Sequence, residues 1–343
     1  MKLNKIKSND IGVDLGTANV IITLKGKGII LNEPSVIAID KKTKNVLAYG
    51  LAAKDMLGRT PKEILAVKPI QDGVIANFSA TCLMLKKMIK KICLRYNVKR
   101  PRVVVGIPTE ITEVEERAVE ESIMQAGAKE VYIIEETMAA AIGANLDVSE
   151  PNGNIIVDIG GGTTEIAVIS LGGIVVNNSI RVAGDKLNDD IINYVRKNLN
   201  LAIGENTAEE IKKQIGCAIL PVTEVKVPIR GRDLLTGLPR VMEITSTQVY
   251  DAINESILKI IEAVKQALEK TPPELSSDIM ERGITIAGGG AMIKGIDTLI
   301  SMETKMPSYI AENPLDCVAK GAEKTLEDLY KLKEILMRRK MRR

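Results

Sequence analysis

Short apolar runs closed by glycine or proline alternate along this chain with longer stretches in which apolar residues recur every three to four positions. Residues 103–107 form a β-branched run ended by Pro108, and 131–134 form a second apolar run. Runs of this length and composition predict buried strands. Between them, 113–125 predicts a helix with Val114, Ala118, Ile123 and Met124 on its apolar face, and a further helix follows from about Thr137 to Leu146. The second half has comparable order. Residues 247–270 predict a long helix that stops before Pro272 and Pro273, and 284–287 a strand running into Gly288, Gly289 and Gly290, then a helix from about Ala291.

One short pattern occurs twice, 144 residues apart. In 11–17 and again in 155–163 an apolar strand ends on an aspartate, Asp14 or Asp158, turns through glycine and threonine, and returns as an apolar run at 20–24 or 165–170. The same hairpin is built twice, so the expected fold class is α/β with a duplicated, sheet-bearing lobe and a cleft common to both. At 343 residues each half is long enough to bury its own core, and that core must be aliphatic, since aromatics are 2% of the chain. Two stretches fall outside the repeated unit. One, from Glu33 to Gly73, is punctuated by Pro34, Pro61 and Pro69. The other, from Gly184 to Ile244, predicts helices near 186–198 and 207–215 and strands at 224–230 and 240–244. Each reads as an insertion capping one half.

Glycine lets backbone N–H groups approach an anion, threonine adds a hydroxyl, and aspartate places a hard oxygen beside them. That combination suits a nucleotide phosphate with Mg²⁺. A single such turn is equally an ordinary hairpin with a turn-capping aspartate. A third glycine turn, Gly288 to Ala291, follows a strand where helix N–H groups would favour an anion or a polar ligand edge. No Walker motif or G-x-G-x-x-G is present. The chain has no histidine, which removes Ser-His-Asp and Cys-His catalysis and histidine metal sites together. Acid–base work then falls to carboxylates, lysine or tyrosine. Glu136, where a strand gives way to a helix, fits either of two roles, a carboxylate stabilising the helix N-terminus or an acceptor orienting a water.

The four cysteines, Cys82, Cys93, Cys217 and Cys317, have no C-x-x-C spacing and read as buried, reduced thiols. No apolar run approaches the roughly 18 residues of a membrane span, and no signal-peptide core is seen, so a cytoplasmic protein is expected. The net charge of +3 is uneven: residues 331–343 carry +6 and all that precedes them −3. Basic residues are not spread over a face with stacking aromatics, so nucleic acid is not an expected partner.

The hairpin pair and the Gly288 turn, together with the segments 31–40 (LNEPSVIAID), 134–143 (IEETMAAAIG) and 269–275 (EKTPPEL), resemble the MreB family, the bacterial actins, from about Asn9 to Leu326. The resemblance implies the actin-like ATPase fold, duplicated mixed-sheet lobes around a nucleotide cleft with two small inserted subdomains, and ATP and Mg²⁺ as cofactors. It implies four subdomains: IA from 1–32, 75–150 and 315–343; IB from 33–74; IIA from 151–183 and 245–314; IIB from 184–244. Asp14, Gly16, Thr17, Ala18 and Asn19 would form the first phosphate loop, and Asp158, Gly160, Gly161, Gly162 and Thr163 the second. Gly288, Gly289, Gly290 and Ala291 would lie against the adenosine, with Glu209, Glu210 and Lys212 closing over base and ribose. Asp14 and Asp158 would hold Mg²⁺ largely through its waters, and Glu136 would orient the attacking water. The family usually has proline after that glutamate. Thr137 stands there instead, which leaves Glu136 less rigidly placed and implies retained but slow hydrolysis.

The implied activity is ATP-dependent assembly of paired protofilaments at the inner membrane face, where such proteins organise cell shape, with copies of itself, the anionic membrane surface and unidentified morphogenesis proteins as partners. The family's usual apolar membrane loop is diluted here; 92–100 offers only Leu94 and Tyr96 as wedges. The basic tail, with Arg338, Arg339, Lys340, Arg342 and Arg343 after apolar Leu332, Ile335, Leu336 and Met337, is the stronger membrane candidate. A plasmid-segregating actin-like filament and a sugar-kinase-like phosphotransferase are the alternatives that the phosphate loops leave open.

Overall fold

Both hairpins form, and in the same register: Asp14 stands opposite Ile21 and Asp158 opposite Glu165. A computed structural model describes residues 10–108 and 112–326. They fall into two compact units, one holding the chain up to Pro151, Leu171–Ile174 and the part from Asp316 on, the other Asn152–Ser170 and Val175–Leu315.

The first unit contains, in chain order, β1 (Asp10–Leu15), β2 (Asn19–Leu24), β3 (Gly28–Pro34), β4 (Ile37–Asp40), β5 (Val46–Tyr49), α1 (Leu51–Lys54), β6 (Ile64–Val67), β7 (Ile70–Gln71), β8 (Val74–Ile75), α2 (Phe78–Tyr96), β9 (Arg102–Ile107), α3 (Glu113–Gln125), β10 (Glu130–Glu135) and α4 (Glu136–Gly143). Its main sheet has the order β10-β9-β1-β2-β3, with β1 antiparallel to β2 and parallel to β9. Ile11, Val13 and Leu15 alternate with Gly12 and Asp14, so the odd positions enter a core with Met84, Met88 and Ile92 of α2. A separate sheet, β5-β4-β6, is built from the first of the two insertion-like stretches.

The second unit contains β11 (Asn154–Ile159), β12 (Thr164–Ser170), β13 (Gly173–Ile180), α5 (Gly184–Leu199), β14 (Leu201–Ala202), α6 (Glu205–Ile215), β15 (Lys226–Asp233), β16 (Pro239–Thr245), α7 (Ser246–Glu269), α8 (Pro273–Arg282), β17 (Ile284–Ala287), α9 (Ile296–Thr304) and β18 (Ser308–Ile310). The order β13-β12-β11-β17-β18 mirrors the first unit's main sheet, with β11 antiparallel to β12 and parallel to β17. Its core is aliphatic, as the composition requires: Ile155, Val157, Ile166 and Val168 pack with Ile253, Ile257, Ile260 and Val264 of α7. The chain then returns to the first unit as α10 (Cys317–Thr325).

Several expectations need correction. Within α3 the buried residues are Val119, Ser122 and Ile123, while Val114 is 78% and Met124 44% exposed. No helix is predicted above for 78–96, yet Ala80, Met84, Leu85, Met88, Ile89 and Ile92 repeat at helical spacing and are buried in α2. Residues 92–96 therefore belong to its last turn rather than to a loop. Tyr96 is half-buried, with Lys27 4.7 Å and Arg95 5.5 Å from its ring centre, which occupies that candidate wedge. Gly289–Met292 is a 3-10 turn, and the α-helix starts only at Ile296, after Gly295 at φ 79°. Cys82 and Cys93 are half-buried, and only Cys217 and Cys317 are fully so.

The β15–β16 hairpin depends on one carboxylate. Asp233 accepts from the backbone N–H groups of Leu235 and Thr236 at 2.8 and 3.0 Å and from Arg240 at 2.9 Å. These donors, the backbone N–H of Thr236 first, lower its pKa to about 2. A depressed carboxylate stabilises the fold above its ordinary pKa of 3.8 and ceases to do so as pH falls through about 2. Asp233→Asn should therefore melt at a lower temperature than the parent at pH 7, and the two melting curves should converge toward pH 2.

Candidate functional site

The first loop is braced from residues far along the chain. Its strands are fixed by the β1–β2 ladder, and the turn is tight at Gly16, where a Cβ would come within 3.0 Å of the Asn19 carbonyl oxygen. The Ser35 hydroxyl donates to the Gly16 carbonyl at 2.6 Å, and the Gly73 N–H donates to the Thr17 hydroxyl at 3.1 Å. The Ser35 N–H reaches the Ala18 carbonyl, and the Asn19 amide donates to Asn32 at 2.7 Å. Asp14 is half-buried at the end of β1, Thr17 is buried and Ala18 exposed.

Glu136 comes to the same edge of the same sheet. In the parallel ladders Gly106 lies opposite both Asp14 and Ile134. A Cβ on Gly106 would crowd Val318 Cγ1 at 2.8 Å and stand 3.4 Å from the Glu136 Cγ, so Glu136 passes over this position at van der Waals distance. Glu136 is the first residue of α4, where a carboxylate also favours the helix dipole. Thr137 is fully buried, and its Oγ1 has no hydrogen-bond partner. Burial, not a ring, restricts this position.

The second loop repeats the geometry of the first. The Gly160 N–H closes on the Thr163 carbonyl at 2.9 Å, and a Cβ on Gly160 would meet that oxygen at 3.1 Å. Its outer carbonyls are spent on α5: Gly184 N–H donates to Gly160 and Asp185 N–H to Gly161, at 3.1 and 2.7 Å. Lys212 of α6 reaches the same place, its ammonium donating to the Gly184 carbonyl at 2.6 Å. Glu209 instead accepts from Lys213 one turn on, at 2.6 Å, and Glu210 is exposed. Lys212 is thus placed beside the loop.

Asp158 differs from Asp14 in burial. It is 8% exposed, and burial pushes its pKa up to about 7. The third glycine turn packs directly on it. A Cβ on Gly288, whose φ is 79°, would lie 2.4 Å from Asp158 Oδ1, and one on Gly290 would lie 2.2 Å from Ile159 Cγ2. The amides of Ala291 and Ile293 are used within the 3-10 turn, and Gly288 N–H donates to Pro314. What the glycines of this turn provide is close approach of its backbone to Asp158 and Ile159. Gly289 and Ala291 complete the turn, Ala291 fully buried.

Ser35, Gly73, Gly106 and Gly184 were not among the predicted site residues. Ser35 falls in a segment that carries the family resemblance, but nothing local to it marks a brace for Gly16. The basic tail residues, Arg338, Arg339, Lys340, Arg342 and Arg343, lie outside the described residues. Among the described residues no helix is long and apolar enough to cross a membrane.

A family model described as MreB/Mbl protein matches residues 8–334. The chain is 50% identical over 325 residues to the cell shape-determining protein Mbl of Bacillus subtilis, covering 95% of this chain and 98% of that protein. It is 51% identical over 332 residues to the cell shape-determining protein MreB of Escherichia coli, with 95% of each covered. Among solved structures, MreB5 of Spiroplasma citri bound to ADP superposes with a TM-score of 0.88 at 41% identity, over 95% of this chain and 97% of that one. A MamK double helical filament matches at TM-score 0.78 and 20% identity over 93% and 98%, a likeness of fold alone. The actin-like α/β fold expected above is the fold found, and the chain belongs to the MreB/Mbl family.

Proposed function

We propose that this chain binds and hydrolyses ATP with Mg²⁺ and assembles with copies of itself into filaments at the inner face of the cell membrane that determine cell shape. The observation that carries the reading is the paired hairpin. Asp14 and Asp158 occupy equivalent register positions, each two residues before a glycine whose Cβ would crowd its own turn. MreB5 of Spiroplasma citri, solved bound to ADP and to AMPPNP, supports a nucleotide as the ligand of such loops.

In this reading the backbone at Gly16, Thr17, Ala18 and Asn19 and at Gly160, Gly161, Gly162 and Thr163 holds phosphate oxygens. Gly288, Gly289 and Gly290, in the turn that Ala291 completes, give the adenosine a surface without side chains, and Lys212, with Glu209 and Glu210 on the same helix, borders it. The donor set fits a hydrated Mg²⁺: two carboxylates suffice for an ion that keeps most of its waters, and a cation would favour the ionised form of buried Asp158. When bound, the ion neutralises phosphate charge. Glu136 orients the attacking water, and its place over Gly106, the residue paired with Asp14, supports that role. The four-subdomain division with insertions at 33–74 and 184–244 is part of the same proposal, as is attachment of the basic tail to anionic lipid.

Light scattering of the purified chain should rise on adding ATP and Mg²⁺ and stay flat with Asp158→Ala, whose isothermal titration with ATP should show binding weakened at least about tenfold. Polymer growth by Asp158→Ala at the parental ATP dependence would remove the second loop from nucleotide-dependent assembly. Co-sedimentation with anionic liposomes should fall sharply when the last six residues are deleted or salt is raised.

A further inference from the structure

A groove in the first unit, apart from the loops, has one wall of cations and one of apolar side chains. Lys87 and Lys91, on successive turns of α2, stand along one side, and Leu47 and Tyr49 of β5 and Leu51 of α1 face them from the other; Arg95, one turn further on, lines with Lys91 the adjoining hollow against Ile30 and Leu31 of β3. The part between β5 and α2 has a volume of about 520 Å³, within the range of ligand-holding clefts. Leu47 is 50% and Leu51 60% exposed, and Lys91 lies 5.7 Å from the centre of the Tyr49 ring. Over its whole length α2 carries five cations and no acid. Among the described residues no carboxylate is bonded to Lys87, Lys91 or Arg95. The acid nearest them in the groove, Glu33, accepts from the Leu51 N–H at 3.0 Å.

We propose that this groove docks an extended acidic segment of a partner protein, with carboxylates at alternate residues and apolar side chains between them. The spacing of the cations selects the conformation. Side chains at i, i+4 and i+8 of a helix rise about 6 Å apart, and alternate residues of an extended chain rise about 6.6 Å. Every second side chain of such a segment meets a cation on α2. The intervening side chains turn to the opposite wall, where Leu47, Tyr49 and Leu51 take apolar groups. The groove also runs beside an exposed strand, because β5 is at the edge of the sheet β5-β4-β6. Addition of a strand to such an edge is a general mode of peptide capture. A bilayer surface fits less well, since the cations line a concavity with a carboxylate, Glu33, inside it.

The probe is a fluorescein-labelled octapeptide of alternating Glu and Leu, titrated with the full chain and followed by anisotropy. Saturable binding is expected, weakened at least tenfold in Lys87→Glu/Lys91→Glu and in the peptide with Gln for Glu, and unchanged in Lys197→Glu of the second unit. Lys87→Ala/Lys91→Ala, with the melting temperature of the parent, should weaken binding by a smaller factor in the same direction. Hydrogen exchange should slow in β5 and α2 when peptide is added. Absence of saturable binding, or equal binding by the charge-reversed variant, would overturn the proposal. So would displacement of the peptide by phosphatidylglycerol vesicles through the same lysines, which assigns the groove to lipid, or its loss on assembly, which assigns it to a second copy.

Discussion

Gly321→Ala should destabilise the protein by about 3 kcal/mol or more, the upper end of what overpacking costs. A Cβ there would fall 1.8 Å from the Ala139 carbonyl oxygen, and one on Gly143 would fall 1.8 Å from that of Cys317. The two contacts are reciprocal, each glycine of one helix meeting the backbone of the other one turn away, so α4 and α10 touch main chain to main chain. Backbone cannot swing aside as a flexible side chain can. The helices must separate, and the shift spreads, because Gly12 of β1 also packs on α10: a Cβ there would be 2.9 Å from the Glu323 nitrogen. Glu136 begins α4, so the same separation moves it from its place beside Gly106. Urea unfolding followed by circular dichroism measures the loss. Gly204→Ala is the control, since nothing lies within 4 Å of a Cβ there and its φ is −92°; it should cost under about 1 kcal/mol. Equal unfolding midpoints for Gly321→Ala and the parent would refute the close-packing account.

The elements that carry the candidate site were legible for a simple reason. Strand, aspartate, glycine and threonine are local signals, and their recurrence after 144 residues marked both hairpins; the structure adds that their registers match. The helix spans 113–125 and 247–270 were likewise readable to within a residue at each end. Which face of a short helix is buried was not. In α3 the buried stripe contains Ser122, whose hydroxyl donates to the Ala118 carbonyl at 2.6 Å and meets the Cys82 sulfur at 2.9 Å, so a polar residue there is satisfied inside the core while Val114 is left outside. The Gly288 turn misled in another way. Its glycines serve close packing on Asp158 and Ile159, and the real helix start is set by Gly295 further on. The braces of the loops, Ser35 on Gly16, Gly73 on Thr17 and Gly184 on Gly160, join segments 19 to 56 residues apart. No periodicity encodes such pairs. They follow from the fold once the sheets are placed.

Glu136→Gln should slow phosphate release from ATP by about a hundredfold, the lower end of what a positioned acid–base group contributes. The amide keeps the length and shape of the carboxylate that passes over Gly106, so ATP affinity should change by less than about threefold and the melting temperature only slightly. What it loses is the capacity to accept a proton, or to hold a water by a charged acceptor, at the sheet edge where Asp14 ends its strand. With no histidine in the chain, no imidazole can take over that task. The substitution also separates the two roles Glu136 can have. As a helix-terminus carboxylate it contributes about 0.3–1 kcal/mol, which the neutral amide forfeits in stability with turnover intact. As the water's acceptor it governs turnover with stability nearly intact. Single-turnover phosphate release and a thermal melt on the same preparation read the two separately, and a variant that melts lower but turns over at the parental rate would leave Glu136 a structural cap and hydrolysis in need of another acceptor.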